Sequence, residues 1–146
     1  MAEIPDKLVF TTFSARRIGA LVVWVGSGDL EIADADWEPY VKWCQAIQRE
    51  TGELKVLTTP FGHAPSPSQR SLLDQELDTE RMRVAVMLSN PKLVAVVRAF
   101  SWFIKGITPF KAHELEKALA FLGESDTAGV RAAIHELGGK VTSAAR

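Results

Sequence analysis

Short apolar runs alternate with amphipathic stretches of helical period along most of this chain, and that alternation constrains the fold more than any other feature. The predicted order of elements is β-β-α-β-α-β-α-β-α-α. Strands that alternate with helices indicate a sheet with parallel pairs and with helices packed against it. We therefore expect an α/β fold with a mixed sheet of about five strands, four helices packed against the sheet and an extra C-terminal helix.

The predicted elements are bounded by turn residues, helix caps and glycines. Polar residues 14–17 are expected to form the turn of a hairpin between the first two strands, and Asp34 or Asp36 is expected to cap the first helix. The domain is predicted to span residues 8–123, with a helical extension at 124–138 and flexible tails at 1–7 and 139–146. The predicted strands are residues 8–13, 18–25, 54–59, 82–88 and 107–110, and the predicted helices are residues 36–50, 67–77, 91–103, 113–122 and 127–137.

Length and charge narrow the class of protein. A chain of 146 residues is long enough for one domain with a proper core and short for two. Apolar residues make up 47% of it, as in an ordinary globular domain. The net charge of −1 provides no basic surplus, so we expect no binding to nucleic acid.

The cysteine content and the lengths of the apolar runs indicate the cellular compartment that we expect for the protein. Cys44 is the single cysteine, which excludes an intramolecular disulfide, and it falls on an apolar helical face that predicts a buried, inert thiol. Residues 1–7 contain no long apolar segment, so no signal peptide is expected. The longest apolar run, residues 18–25, is far too short to span a bilayer. We therefore expect a cytoplasmic protein without stable membrane insertion.

Residues 58–70 connect a strand-like run to a helix-like run and carry a well-formed helix start. Ser66 is the predicted N-cap, Pro67 the first helical residue and Gln69 the reciprocal partner of a capping box. The unpaired N–H groups of such a helix start would point out of the end of the sheet. This arrangement suits an anion, a phosphate or a protein partner. The alternative is that Ser66 only caps the helix.

The chain contains no recognised catalytic set. His63, His113 and His135 are well separated, and none has a Cys or second His at the spacing that a zinc site uses. No Gly-x-Ser-x-Gly elbow and no phosphate-loop pattern occur, and the Gly26-Ser-Gly28 turn lacks the third glycine of a dinucleotide site because Glu31 stands there. We predict no enzyme activity, no metal and no cofactor; the alternative is a small hydrolase that uses His63 with Ser66 or Ser68.

The aromatic residues allow a further alternative. Trp24 and Trp37 are expected in the core, whereas Trp43 lies beside the apolar stripe of the first helix. Trp102 falls off the inward stripe of the third predicted helix, next to Phe103, so exposure there would suit a protein interface or an apolar ligand. A small-molecule or lipid sensor is therefore the second functional hypothesis.

The order of local signatures resembles the STAS domain, the fold of bacterial anti-sigma factor antagonists, and in particular its divergent STAS-like group. The resemblance covers residues 8–122. Four segments carry it: Val23-Trp-Val-Gly-Ser-Gly-Asp-Leu-Glu31, Leu54-Lys-Val-Leu-Thr-Thr59, Val84-Ala-Val-Met-Leu-Ser-Asn-Pro91, and Ile107-Thr-Pro-Phe-Lys111 with the following Glu116-Lys-Ala-Leu119.

In typical STAS domains a serine in an Asp-Ser-Ser-Gly type motif at the second helix is phosphorylated by a partner kinase, and this controls binding. No such motif occurs in this chain, and Ser66 and Ser68 match it only as serines at the helix entry. The resemblance implies a regulatory signalling module that binds a protein, such as a kinase or an anti-sigma-like factor, through residues 60–69 and the helix start. The C-terminal helix is expected to cover a sheet edge or to form a homodimer contact. The candidate binding or phosphorylation residues are Phe61, His63, Ser66, Ser68, Gln69 and Arg70.

Overall fold

The computed structural model describes residues 4–27, 30–59, 65–88 and 106–138. Within these ranges the chain has six strands and four α-helices, which confirms the α/β class. The predicted helix at 91–103 lies outside the described residues. The strands are β1 (Lys7–Val9), β2 (Phe13–Ile18), β3 (Leu21–Gly26), β4 (Leu54–Thr58), β5 (Met82–Leu88) and β6 (Ile107–Lys111). The helices are α1 (Asp34–Thr51), α2 (Pro67–Glu76), α3 (Leu115–Phe121) and α4 (Thr127–Glu136), and a 3-10 turn spans Thr79–Arg81.

The six strands form one mixed sheet in the order in which they occur along the chain. β1, β2 and β3 pair antiparallel, whereas β3, β4, β5 and β6 pair parallel. The carboxyl ends of the four parallel strands therefore lie at one edge of the sheet, which we call the carboxyl edge. Right-handed crossovers between consecutive strands require α1 and α2 to lie on the same face, as they do.

The prediction of about five strands is wrong, because residues 8–13 do not form a single strand. They divide between β1 and β2, and the polar residues 14–17 that were predicted as a turn lie inside β2. The hairpin turn instead falls at Gly19, which adopts a positive φ of 60° that favours glycine. The predicted flexible tail at 1–7 belongs to the fold from residue 4 onward, because the carbonyls of Pro5 and Asp6 accept hydrogen bonds from Trp43 Nε1 and from the backbone N–H of Arg17.

Two consecutive arginines explain why a polar segment forms a strand here. Successive side chains of a strand point to opposite faces of the sheet. The guanidinium of Arg16 lies 2.6 Å from a carboxylate oxygen of Glu136 on α4, and that of Arg17 lies 2.6 Å from a carboxylate oxygen of Glu50 on α1. Each guanidinium thus pairs with a carboxylate on a different face of the sheet.

The sheet separates two cores of different composition. The core under α1 and α2 is rich in aromatic side chains, and the core under α3 and α4 is mainly aliphatic. Trp24 and Trp37 are buried in the first core, as predicted. Ring centroids there lie 5.1 Å apart for Phe13 and Trp24 and 5.2 Å apart for Phe13 and Tyr40, which are ordinary packing distances for aromatic pairs.

The start of α1 differs from the prediction. Its N-cap is Ala33, which provides no side-chain cap, so neither Asp34 nor Asp36 caps the helix. Asp36 Oδ2 instead accepts hydrogen bonds from the backbone N–H and the hydroxyl of Thr12. Because the helix begins at Asp34, Pro39 lies beyond the first turn and inside the helix. The long-range contact with Thr12 occupies the carboxylate that local rules assigned to a cap.

Helix α4 lies on the face of the sheet against β3 and does not run along an edge. Val130, Ala133 and Ile134 are buried in the aliphatic core, and Asp126 Oδ1 caps the helix by accepting from Gly129 N–H at 3.0 Å. Among the described residues, no helix combines the length and the apolar character that crossing a bilayer requires.

If α4 is integral to the domain, removing a buried side chain from it must destabilise the whole fold. We expect Ile134→Ala to lower the free energy of unfolding by about 2–5 kcal/mol, because it leaves a cavity in the aliphatic core. The neighbouring exposed residue gives a matched control, and His135→Ala should change that free energy by less than about 0.5 kcal/mol. Urea denaturation followed by circular dichroism measures both values, and equal stability of the two variants would contradict this packing.

Candidate functional site

The start of α2 has the geometry that its sequence predicts. Ser66 is the N-cap, and its hydroxyl oxygen accepts from the backbone N–H of Gln69 at 3.2 Å. The side-chain oxygen of Gln69 accepts in return from the backbone N–H of Ser66 at 2.9 Å, and Pro67 occupies the first helical position. Because α2 is the crossover that follows β4, this helix start lies at the carboxyl edge of the sheet.

The side chain of Gln69 also fastens this helix start to the β3–α1 loop. Gln69 is only 5% exposed, and its amide nitrogen donates to the carbonyl of Ile32 at 2.8 Å and to Asp34 Oδ1 at 2.9 Å. Its backbone carbonyl accepts from the indole N–H of Trp37 at 2.8 Å. Gln69 therefore positions the helix start and presents almost no surface to a partner. The sequence had shown only its capping role, because Ile32 and Asp34 lie more than 30 residues away.

Ser66 and Ser68 differ in accessibility. Their hydroxyl oxygens lie 3.2 Å apart, within hydrogen-bonding distance. Ser66 is half-buried and its oxygen already accepts the capping hydrogen bond, whereas Ser68 is exposed at the second helical position. Arg70 is half-buried, and its backbone N–H donates to the Ser66 carbonyl at 2.9 Å. Ser68 is thus the more accessible of the two serines.

Four of the other candidate residues fall outside the described part of the chain, and Trp43 lies in the aromatic core. Phe61, His63, Trp102 and Phe103 lie outside the described residues. Trp43 is 5% exposed in the aromatic core, and its indole N–H donates to the carbonyl of Pro5 at 2.7 Å. Its ring therefore contributes to the packing of α1 and offers no surface for a partner or ligand.

The described residues offer few groups for metal binding or catalysis. Within the described ranges, no three His, Cys, Asp or Glu side chains are grouped as a metal ion would need. His113 and His135 are exposed. An open cleft of about 400 Å³ lies at the amino end of β5, so it belongs to the edge opposite the helix start. Its described lining comprises Thr79, Glu80, Met82, Arg83 and Gly106.

Cys44 is buried, as its place on the apolar face of α1 predicts. Burial raises its pKa to about 12, although a hydrogen bond with Tyr40 acts in the opposite direction. Burial likewise raises the pKa of Tyr40 well above its usual value. Both groups are therefore neutral at physiological pH, and Cys44 does not supply a thiolate nucleophile.

The exposed part of the β3–α1 loop was missed by sequence reasoning. Leu30 and Glu31 are exposed in this loop, and Asp34 is exposed at its end. Asp34 had been interpreted as a cap for α1, so its link to Gln69 was not foreseen. The only local sign was a segment rich in glycine, serine and acidic residues directly after a buried strand. Such a segment is also typical of an ordinary loop.

Comparisons of the chain with protein-family models, with curated proteins and with solved structures give no match. No relative therefore suggests a function for this chain.

The positioning role of Gln69 can be measured as stability. We expect Gln69→Ala to lower the free energy of unfolding by about 1–3 kcal/mol, because it leaves buried hydrogen-bonding groups without partners. Ser66→Ala should cost about 1 kcal/mol through loss of the cap alone. Gln75 is exposed on the same helix, so Gln75→Ala should change stability by less than about 0.5 kcal/mol. A loss for Gln69→Ala no larger than that for Gln75→Ala, measured by urea denaturation, would exclude this role.

The raised pKa of Cys44 predicts an unreactive thiol. Because the folded-state pKa lies near 12, the thiolate is scarce at pH 8 and its burial also blocks reagents. We expect Ellman's reagent to modify the native protein slowly and the urea-unfolded protein within the mixing time. Cys44 is the single cysteine, so the absorbance signal reports on it alone. Rapid labelling of the native protein would show that this part of α1 opens readily.

Proposed function

We propose that the protein is a non-catalytic, STAS-like regulatory module that binds a partner protein at the start of α2. One observation carries the proposal: an exposed serine, Ser68, stands beside the capping serine on a helix start that the buried Gln69 fixes to the β3–α1 loop. A surface that is already ordered loses little conformational entropy on binding, which favours affinity. The carboxyl edge is also where open α/β sheets commonly bind their ligands.

The arrangement of the sheet is compatible with the resemblance. Parallel strands in consecutive order, with α1 and α2 on one face, agree with the order of segments on which the STAS-like interpretation depends. That interpretation brings with it a cytoplasmic location and a regulatory partner, such as a kinase or an anti-sigma-like factor. Both remain part of the proposal.

The absence of catalysis is also part of the proposal. Among the described residues, the groups hydrogen-bonded to the side chains of Ser66 and Ser68 are a backbone amide and the other hydroxyl. Neither group is a base that would activate a serine oxygen. The local chemistry therefore suits recognition better than nucleophilic attack.

Regulation by phosphorylation would act at Ser68 in this proposal. The first turn of α2 contains no acidic side chain, and the positive end of the helix dipole stabilises an added phosphate. The same phosphate would place about −2 charges on the docking surface at neutral pH, and it would repel an acidic partner surface or attract a basic one. A single modification would then change binding without changing the fold.

A charge-introducing variant tests this docking site. Because an added carboxylate repels an acidic partner surface and attracts a basic one, we expect Ser68→Asp to change partner affinity by about tenfold, in the direction that the charge of the partner sets. Ser125 is an exposed serine in the α3–α4 loop, so Ser125→Asp adds the same charge elsewhere and should leave affinity unchanged.

The measurement has two stages. Immobilised wild-type protein captures binding proteins from an extract, and quantitative mass spectrometry compares them with those retained by each variant. The affinity of the purified partner is then measured by calorimetry. A partner that binds the wild type, Ser68→Asp and Ser125→Asp equally would remove the start of α2 as the docking site.

A further inference from the structure

Leu30 is an exposed apolar residue whose position sets it apart. Among the described residues, two large hydrophobic side chains are exposed: Leu30, at 52%, and Val9, at 69%. Single exposed apolar residues are normal on protein surfaces and need no function. Val9 lies on the short edge strand β1, whereas Leu30 lies in the β3–α1 loop that Gln69 binds.

Described residues before and after Leu30 form contacts with the rest of the fold. The backbone N–H of Leu30 lies 3.4 Å from the carbonyl of Ser27, a long hydrogen bond, and Ile32 is buried in the aromatic core. The Ile32 carbonyl accepts from Gln69, the same residue that closes the capping box with Ser66. Leu30 thus stands two residues before Ile32, whose carbonyl binds the residue that closes the capping box of α2.

The charges beside Leu30 are acidic. Glu31 and Asp34 are exposed, and neither forms an ion pair with a described residue. Glu38, one turn further along α1, is paired with Lys42 at 3.4 Å. Arg70, in the first turn of α2, is half-buried and forms an interaction of its own. An exposed leucine and two exposed carboxylates therefore lie on the segment that Gln69 links to the proposed serine site.

We infer that Leu30, Glu31 and Asp34 form, together with Ser68, one docking surface for a protein segment in which an apolar residue is flanked by lysine or arginine. This inference depends on the proposed function and specifies the chemistry of the partner. The leucine buries apolar surface in the complex, and the carboxylates attract and orient the basic residues. The joint attachment of the loop and the helix start to Gln69 fixes the spacing between the two halves of the surface.

The same charges disfavour two other occupants. A two-fold contact between copies of the chain around Leu30 would bring the carboxylates of both copies together, and like charges that meet in an interface are costly. An anionic membrane surface would be repelled in the same way. A basic protein segment meets neither obstacle.

The test uses a phage-displayed library of random peptides, selected on the immobilised full-length protein. We expect the enriched peptides to contain a leucine, isoleucine or phenylalanine flanked by lysine or arginine. Leu30→Ser should weaken the binding of a synthetic copy of an enriched peptide by about tenfold, and Glu31→Lys should weaken that binding by a similar factor. Added salt should weaken the binding further. Val9→Ser removes the other exposed apolar side chain and should have no effect.

The possible results separate the two proposals. Enriched peptides that lack basic residues, or whose binding survives both Leu30→Ser and Glu31→Lys, would overturn this inference. Dimerisation of the protein in analytical ultracentrifugation that Leu30→Ser abolishes would assign the surface to a second copy and would also overturn it. A natural partner that is lost with Ser68→Asp but retained with Leu30→Ser would leave the proposed function standing and remove Leu30 from it.

Discussion

The buried side chain of Gln69 is the contact on which the rest of the candidate surface depends. It closes the capping box at Ser66, donates to the β3–α1 loop at Ile32, and its own backbone carbonyl accepts from Trp37 on α1. A buried amide that lacks its partners is strongly unfavourable, so these segments must be in place together. Two segments that are distant in the sequence are therefore held to one another.

The sheet gives that surface a rigid base. Its strands follow chain order, and the consecutive residues Arg16 and Arg17 of β2 each pair with a carboxylate from a helix on a different face. Exposed ion pairs contribute little stability, so we regard these as contacts that set the position of α1 and α4. The stability itself comes from the two apolar cores on either side of the sheet.

Sequence reasoning succeeded where a signal was local. Apolar runs identified β3, β4 and β5, and the spacing of Ser66, Pro67 and Gln69 identified the capping box. It failed where a polar residue has a distant partner. Residues 14–17 were predicted to form a turn because they are polar, but the partner of Arg16 is Glu136, on a helix far along the chain. Asp36 was predicted to cap α1, but its carboxylate accepts a hydrogen bond from Thr12.

The sequence by itself determined the α/β class and the helix start at Ser66, because periodicity and capping are properties of a few neighbouring residues. Only the tertiary structure decided the sixth strand, the burial of Gln69 and the attachment of the β3–α1 loop to the start of α2. The contacts of Gln69 join residues that are 32 to 37 positions apart, and Arg16 of β2 pairs with Glu136, which is 120 positions away. The sequence around a polar residue that pairs at such a separation is like the sequence around a solvated one. The packing of the folded chain therefore decides which polar residues pair.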